Sequence, residues 1–423
     1  MTRKKLGAGV NLTCVTTPKF KRAVLRAALL LPLGGPDAAL RACLPQVLRR
    51  GTARLPDLGA IGAALDDAYG ARIETTVRKE GETLAVGFLS DCIDEQYAPG
   101  AEGLTASVVR LLCEMLFAPY LMDGVFSPDY TEGEKKNLLD RIAAQKNDPR
   151  QYAPKRLTEL MCENEAYGQS ALGTAGQAER ITENKLYTAY RRALDEAQLE
   201  LFYCGTMAPD AVEALFAAAL PARGEGAFYT PAAEIVPRPA GAPREIVERE
   251  PVTQGKLSLG FRTGGTSLLS GDTPAYWMFQ TIFGGSTSSK LFLNVREKKS
   301  LCYYASAQFV GLKGILLVNS GIENKDFEVA RDEITRQLEA CRAGDISDAE
   351  IESARKTLTS AWRTMLDDPL TLERYWLTQA VAGTLTPPEE RVGQIESVTR
   401  ERIVAAAEGT ALDTVYFMKG AGK

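Results

Sequence analysis

Apolar positions along the chain fall into two stretches of alternating strand-like and helix-like period, separated by one break. Residues 221–243, PARGEGAFYTPAAEIVPRPAGAP, hold five prolines and follow neither period, which predicts a linker between domains. On its N-terminal side the run Ala23–Leu33, interrupted by Arg26, predicts a buried strand. A helix-like segment ending at Gly51-Thr52 follows, then a strand over Leu84–Leu89. Leu104, Val108, Leu111, Leu112, Met115 and Leu116 recur at helical spacing and predict an amphipathic helix. The C-terminal side repeats this order: a strand over Lys256–Phe261, an apolar helix around Ala275–Phe283, a strand over Ile315–Val318, and a helix with Phe327, Ala330, Ile334 and Leu338 on one face.

Farther along each side the correspondence becomes numerical. Ser127 is a helix N-cap candidate whose segment is expected to close at Asp148-Pro149, and Ser347 opens another expected to close at Asp368-Pro369. The serine-to-proline spacing is 22 in both, 127 to 149 and 347 to 369. Between them EKKNLLDRI, 134–142, lies on ARKTLTSAW, 354–362. Each side ends on a strand running into glycine, Leu199–Gly205 and Thr414–Gly420. Order, spacing and terminal strand together predict a duplication. The fold class expected is α+β, two homologous α/β sandwich domains in tandem, residues 1–220 and 246–423, joined by a linker over 221–245.

Composition narrows the function. With 45% hydrophobic and 25% charged residues, the chain can bury a sizeable core. A net charge of −4 carries no basic footprint, so nucleic acid is not expected as a partner. The eight cysteines form no CxxC pair and read as reduced, buried thiols of a cytoplasmic protein. Basic residues precede Ala23–Leu33, but Arg26 breaks the run, which is far short of the ~20 apolar residues of a membrane span. It reads as a strand rather than a leader, and no membrane partner is expected. The chain contains no histidine. That removes serine triads, Cys-His dyads and imidazole-based zinc sites from its repertoire.

The stretch FGGSTSSKLFLNVREKKSLCYYA, residues 283–305, resembles the insulinase/pitrilysin family of metallopeptidases, which includes the mitochondrial processing peptidases. The resemblance extends over essentially the whole chain and implies paired α+β domains that close like a clamshell around a peptide. Active members carry His-x-x-Glu-His on a helix of the first domain, with a second glutamate on a later helix completing the zinc site. Ligands one helical turn apart project toward one ion and leave a position open for water. Anchored on Gly51-Thr52, the corresponding segment RACLPQVLRRGT, 41–52, has Ala42 and Gln46 at the histidine positions and Pro45 at the catalytic glutamate. Glu134 is the better match for the remaining ligand, with Glu132 its neighbour. Read without the family, Glu134 is a solvated helix charge beside Lys135 and Lys136.

The resemblance also implies that Arg296 and Tyr303, in REKKSLCY, occupy positions where the family places a substrate-contacting arginine and tyrosine. Both are hydrogen-bond donors suited to a peptide carbonyl developing negative charge. Alternatively the run is a solvated helix end followed by ordinary strand tyrosines. Gly284-Gly285-Ser286 reads as a helix C-cap followed by a serine N-cap, or as a short flexible loop. Within the family the resemblance is to histidine-less bacterial proteins found beside an active-motif paralogue, some of them associated with modification of elongation factor P. The expectation is a pseudoenzyme with no cofactor or metal. Its partner would be a zinc-bearing paralogue, or a second copy of itself as a homodimer, and its ligand a peptide. An enzyme working through cysteine or a carboxylate-held metal is a third reading, disfavoured by the absence of a clustered ligand set.

Overall fold

A computed structural model of the chain describes residues 1–420. The first sheet contains β1 (Thr2–Gly7), β2 (Val10–Thr16), β3 (Arg22–Pro32), β4 (Arg72–Glu80) and β5 (Thr83–Ile93). After a two-residue hairpin, β6 (Leu121–Met122) and β7 (Val125–Phe126), it is completed by β8 (Gln198–Gly205), in the order β1-β2-β8-β3-β5-β4. The second sheet, β9 (Arg244–Glu250), β10 (Gly255–Arg262), β11 (Cys302–Val310), β12 (Ile315–Ile322) and β13 (Ala411–Gly420), has the order β11-β12-β10-β13-β9. Set side by side, β2-β8-β3-β5-β4 and β9-β13-β10-β12-β11 agree in order and in direction. The outer pairs β2–β8 and β9–β13 are parallel and the rest antiparallel. The duplication is therefore present in the topology.

Domain boundaries differ from those expected. The described residues form two compact units, one of residues 1–143, 169–232 and 367–381, the other of 144–168, 233–366 and the residues from 382 onward. The helix Pro149–Met161 thus belongs with the second sheet, and most of the helix Pro369–Ala382 with the first. Neither cut at 220 nor at 246 separates the units, because each half gives up the helix after its Asp-Pro pair. Asp148-Pro149 and Asp368-Pro369 are helix beginnings rather than ends. Asp148 accepts from the amides of Arg150 and Gln151, and Asp368 from those of Leu370 and Thr371. An aspartate cap followed by proline at the first helical position starts a helix.

The exchanged helices explain the two-sided burial of the central strands. Ala23, Leu25, Ala27, Leu29 and Leu31 of β3 face the main core of the first unit, whereas Leu30 packs with Ala85 and Leu377. A strand covered on both faces reads as a continuous apolar run. Arg26, the interruption in that run, is 1% exposed and pairs with Glu373 of the received helix. Arg78 of β4 reaches the same carboxylate at 2.6 Å. In the second unit Leu257, Leu259 and Phe261 of β10 face the core. On the other face Gly260 lets the received helix approach, since a Cβ there would lie 2.5 Å from Met161 Sδ. Arg262 then donates to Met161 O at 3.2 Å, to Glu165 Oε1 at 2.6 Å and to Asp413 Oδ2 at 2.8 Å.

Residues 221–243 form neither helix nor strand, and Arg244 already begins β9, so the linker ends before 245. It is tied down along its length. Arg223 donates to the carbonyls of Leu194 and Ala197 in the first unit, and Glu234 O accepts from Lys313 in the second. All eight cysteines are free and buried, and burial pushes the Cys43 and Cys113 thiols up to about 12. Among the described residues no helix is long and apolar enough to cross a membrane.

Candidate functional site

In the first unit the motif segment is the helix Ala38–Leu48, which runs across Pro45. Proline has no N–H, so the Arg41 carbonyl loses its helical donor, but the next turn closes with Arg49 N donating to Pro45 O at 3.1 Å. Ala42 is fully buried against the sheet core. The Gln46 amide donates to Thr75 Oγ1 of β4 at 2.7 Å. Glu134 lies on the helix Pro128–Ala144 and is 8% exposed, so it is not a solvated surface charge. Its carboxylate accepts from Arg50 Nε at 2.6 Å and from Asn137 Nδ2 at 3.0 Å. Glu132, by contrast, is an exposed partner of Lys135.

Arg50 was not singled out by the sequence. It stands four residues beyond Gln46, as Gln46 does beyond Ala42, so it extends the same helical stripe past the helix end. That continuation was the available signal. Zinc needs several anionic or imidazole donors converging on one point. Here the four positions offer a methyl group, a pyrrolidine ring, a neutral amide engaged with Thr75, and one carboxylate already neutralised by a guanidinium. These residues do not fit zinc. Among the described residues no group of three or more Cys, Asp and Glu side chains is arranged to hold a metal.

The second unit brings Arg296 and Tyr303 together. Both line an open hollow of about 430 Å³, with Glu297, Ser300, Leu301, Cys302, Glu323 and Asp326. Arg296 is carried by a wide helical turn, Leu291–Lys298, and its guanidinium lies 4.6 Å from the centroid of the Phe292 ring. Tyr303, on edge strand β11, is 62% exposed and donates to Glu323 Oε1 at 2.7 Å. That hydrogen bond to a carboxylate raises the phenol's pKa, because the phenolate would lose it. Between them Ser300 has φ +52°, a left-handed conformation that a non-glycine residue adopts at some cost. The turn bearing Arg296 is fixed from behind by Glu333, which is 3% exposed and accepts from Lys299, Arg336 and Gln337.

Gly284-Gly285-Ser286 is not the cap expected. Neither glycine has positive φ, as a left-handed C-cap requires, and the next helical segment is started by Ser289, whose Oγ accepts from Phe292 N at 3.4 Å. The glycines instead end a wide helical turn, Thr281–Gly285.

Comparison with known proteins agrees with the topology. The model of the peptidase M16 inactive domain matches residues 180–358. The probable inactive metalloprotease YmfF of Bacillus subtilis is 34% identical over 99% of this chain and 97% of its own length. The chain belongs to the M16 metallopeptidase family. An uncharacterized zinc protease of Mycobacterium leprae is 24% identical over 69% of this M16 chain and 66% of its own length. Among solved structures, a conserved protein from Enterococcus faecalis matches 100% of this chain and 99% of its own with TM-score 0.88 and 27% identity. A protease from Helicobacter pylori, 15% identical, shares the fold over 99% of both chains with TM-score 0.81. Within M16 this is an inactive-type chain.

Proposed function

We propose that this chain is the non-catalytic subunit of a peptidase complex. It joins a zinc-bearing paralogue in the cytoplasm, forms half of a peptide-binding chamber, and presents Arg296 and Tyr303 to the bound peptide. The observation that carries this reading is the contrast between the two units. The buried Glu134 carboxylate is consumed internally by Arg50, whereas Arg296 and Tyr303 line an open hollow, where their partners Glu297 and Glu323 lie on the same rim. A guanidinium and a phenol can hold a peptide carbonyl and stabilise the negative charge it gains when a partner's metal-bound water attacks. The proton of Tyr303 is held by Glu323 in the free chain, so a peptide carbonyl has to compete for it.

The test is co-expression with zinc-bearing M16 paralogues from the same cell, followed by isolation of the complex and a peptide-cleavage assay. Arg296→Ala and Tyr303→Phe are each expected to lower the activity of the assembled complex by 10-fold or more, the order of losing one transition-state donor. Full activity of both variants in a demonstrated complex refutes the role. A stable homodimer that binds peptide with no paralogue present would favour the alternative, a peptide-binding scaffold.

A further inference from the structure

On the face of the second sheet that receives the helix Pro149–Met161, one row of residues stands out. Lys256 of β10 pairs with Gly321 of β12, and Gly321 pairs with Tyr304 of β11. The two-residue period of a strand puts all three on the side opposite Leu257, Leu259 and Phe261. Gly321 leaves a gap in the row. A Cβ there would come within 2.6 Å of the Tyr304 ring and 3.0 Å of Gln254 Oε1, so ring and amide close in over bare backbone. Arg150, in the first turn of the received helix, lies 4.4 Å from the centroid of the Tyr304 ring. Lys256 Nζ donates to Gln254 Oε1 at 2.5 Å.

Two cations thus converge on one polar floor, and among the described residues neither makes an ion pair. Elsewhere on this face each cation has its carboxylate: Arg262 has Glu165 and Asp413, and Arg156 has Glu248. Asp148 is nearby but is turned to the helix amides it caps. Partial burial, and after it the charge of Arg150, lower the pKa of Lys256, and the charge of Asp148 offsets only part of this. A half-buried ammonium beside a guanidinium gains most from an anion between them.

We propose that Arg150 and Lys256, over the floor of Gly321 and Tyr304, form a carboxylate-binding site that anchors a peptide by its free C-terminus or by an acidic side chain. The site rests on the peptide-binding reading above and adds a ligand class to it. A carboxylate placed there takes charge-assisted hydrogen bonds from both cations, with the guanidinium over the tyrosine ring.

Binding of three fluorescein-labelled octapeptides of Gly, Ala and Ser to the full chain tests it by anisotropy. One has a free C-terminus, one a C-terminal amide, and one is the amide with Glu at the penultimate position. The free acid or the Glu peptide is expected to bind about tenfold more tightly than the neutral amide, the size of one good charged contact. Which of the two does so identifies the source of the carboxylate. Arg150→Gln and Lys256→Gln are each expected to shrink the difference. Equal binding of all three peptides to the wild-type chain, or a difference that survives both substitutions, overturns the site.

A second readout does not depend on a peptide. In the chain with its lysines ¹³C-methylated, acetate is expected to raise the titration midpoint of Lys256 relative to chloride at equal ionic strength, and to do so less in Arg150→Gln. If Lys256 responds to acetate but no peptide binds, the peptide-binding reading fails and the carboxylate site stands. If Lys256 does not respond, or responds to inorganic phosphate and not to acetate, the carboxylate site is wrong even if peptides bind.

Discussion

Replacing Arg50 by alanine strands a carboxylate. Glu134 is 8% exposed, and after the substitution its remaining side-chain donor is Asn137. Breaking a fully buried ion pair from one side costs about 3–5 kcal/mol, but the Arg50 side chain is 27% exposed, so water can enter the vacated space. The expected loss is therefore smaller, about 2 kcal/mol, within the range for a lost hydrogen bond to a charged group. Glu134→Gln removes the charge but leaves Asn137 an acceptor, and costs about 1 kcal/mol by the same reasoning. The double variant should cost less than the sum of the two by about 1–2 kcal/mol, because it has no uncompensated charge. Urea unfolding measures this. In a Trp277→Phe/Trp362→Phe background the remaining tryptophan, Trp376, is buried in the first unit and reports on it. Additivity of the single changes to within about 0.5 kcal/mol would refute the claim that Arg50 is the counter-charge of Glu134. Micromolar zinc binding by Arg50→Ala would refute a different claim, that these residues do not fit zinc, since it would mean that freeing one carboxylate restores a metal site.

Glu373→Ala should cost more, about 3–5 kcal/mol by urea unfolding, because it leaves Arg26 buried without its anion; a loss under about 1 kcal/mol contradicts the pairing. Burial disfavours the Glu333 carboxylate, but bonds from Arg336, Lys299 and Gln337 outweigh it and hold its pKa at about 2. Its unfolded value is about 4.3, so its stabilising contribution is complete above that value and is lost as the pH falls toward 2. Wild type should therefore lose stability over that window more steeply than Glu333→Gln, as thermal melts at stepped pH can check. Glu323→Gln should lower the titration midpoint of Tyr303, followed by NMR of ¹³Cζ-labelled tyrosine, and an unchanged midpoint would show that the Tyr303 hydroxyl is not held by Glu323 in solution. Ser347→Ala removes a capping box with Glu350 and is expected to cost about 1 kcal/mol; a change within error would mean that the helix start is fixed by packing instead.

Much of this protein was legible in its sequence. The strand and helix periods located β3, β5, β8, β10, β12 and β13 and the long amphipathic helices, because side-chain period is a local property of each element. The duplication was legible from equal spacing, and the poor fit of residues 42–46 to zinc from three residue identities, since Ala, Pro and Gln are poor zinc ligands in any fold. Tertiary structure alone decided which partners were chosen across the chain. Arg49 and Arg50 are chemically the same in the sequence, yet the turn after Leu48 sends Arg50 to Glu134 and leaves Arg49 exposed. Arg26 looked like a flaw in an apolar run until Glu373, far along the chain, was placed opposite it. The Asp-Pro pairs carried the signal for a helix start, but which sheet each helix covers follows from long-range packing that no local pattern encodes. Periodicity records whether a face is buried. It does not record what buries it, and that is why the ion pairs and the row at Gly321 emerged only with the fold.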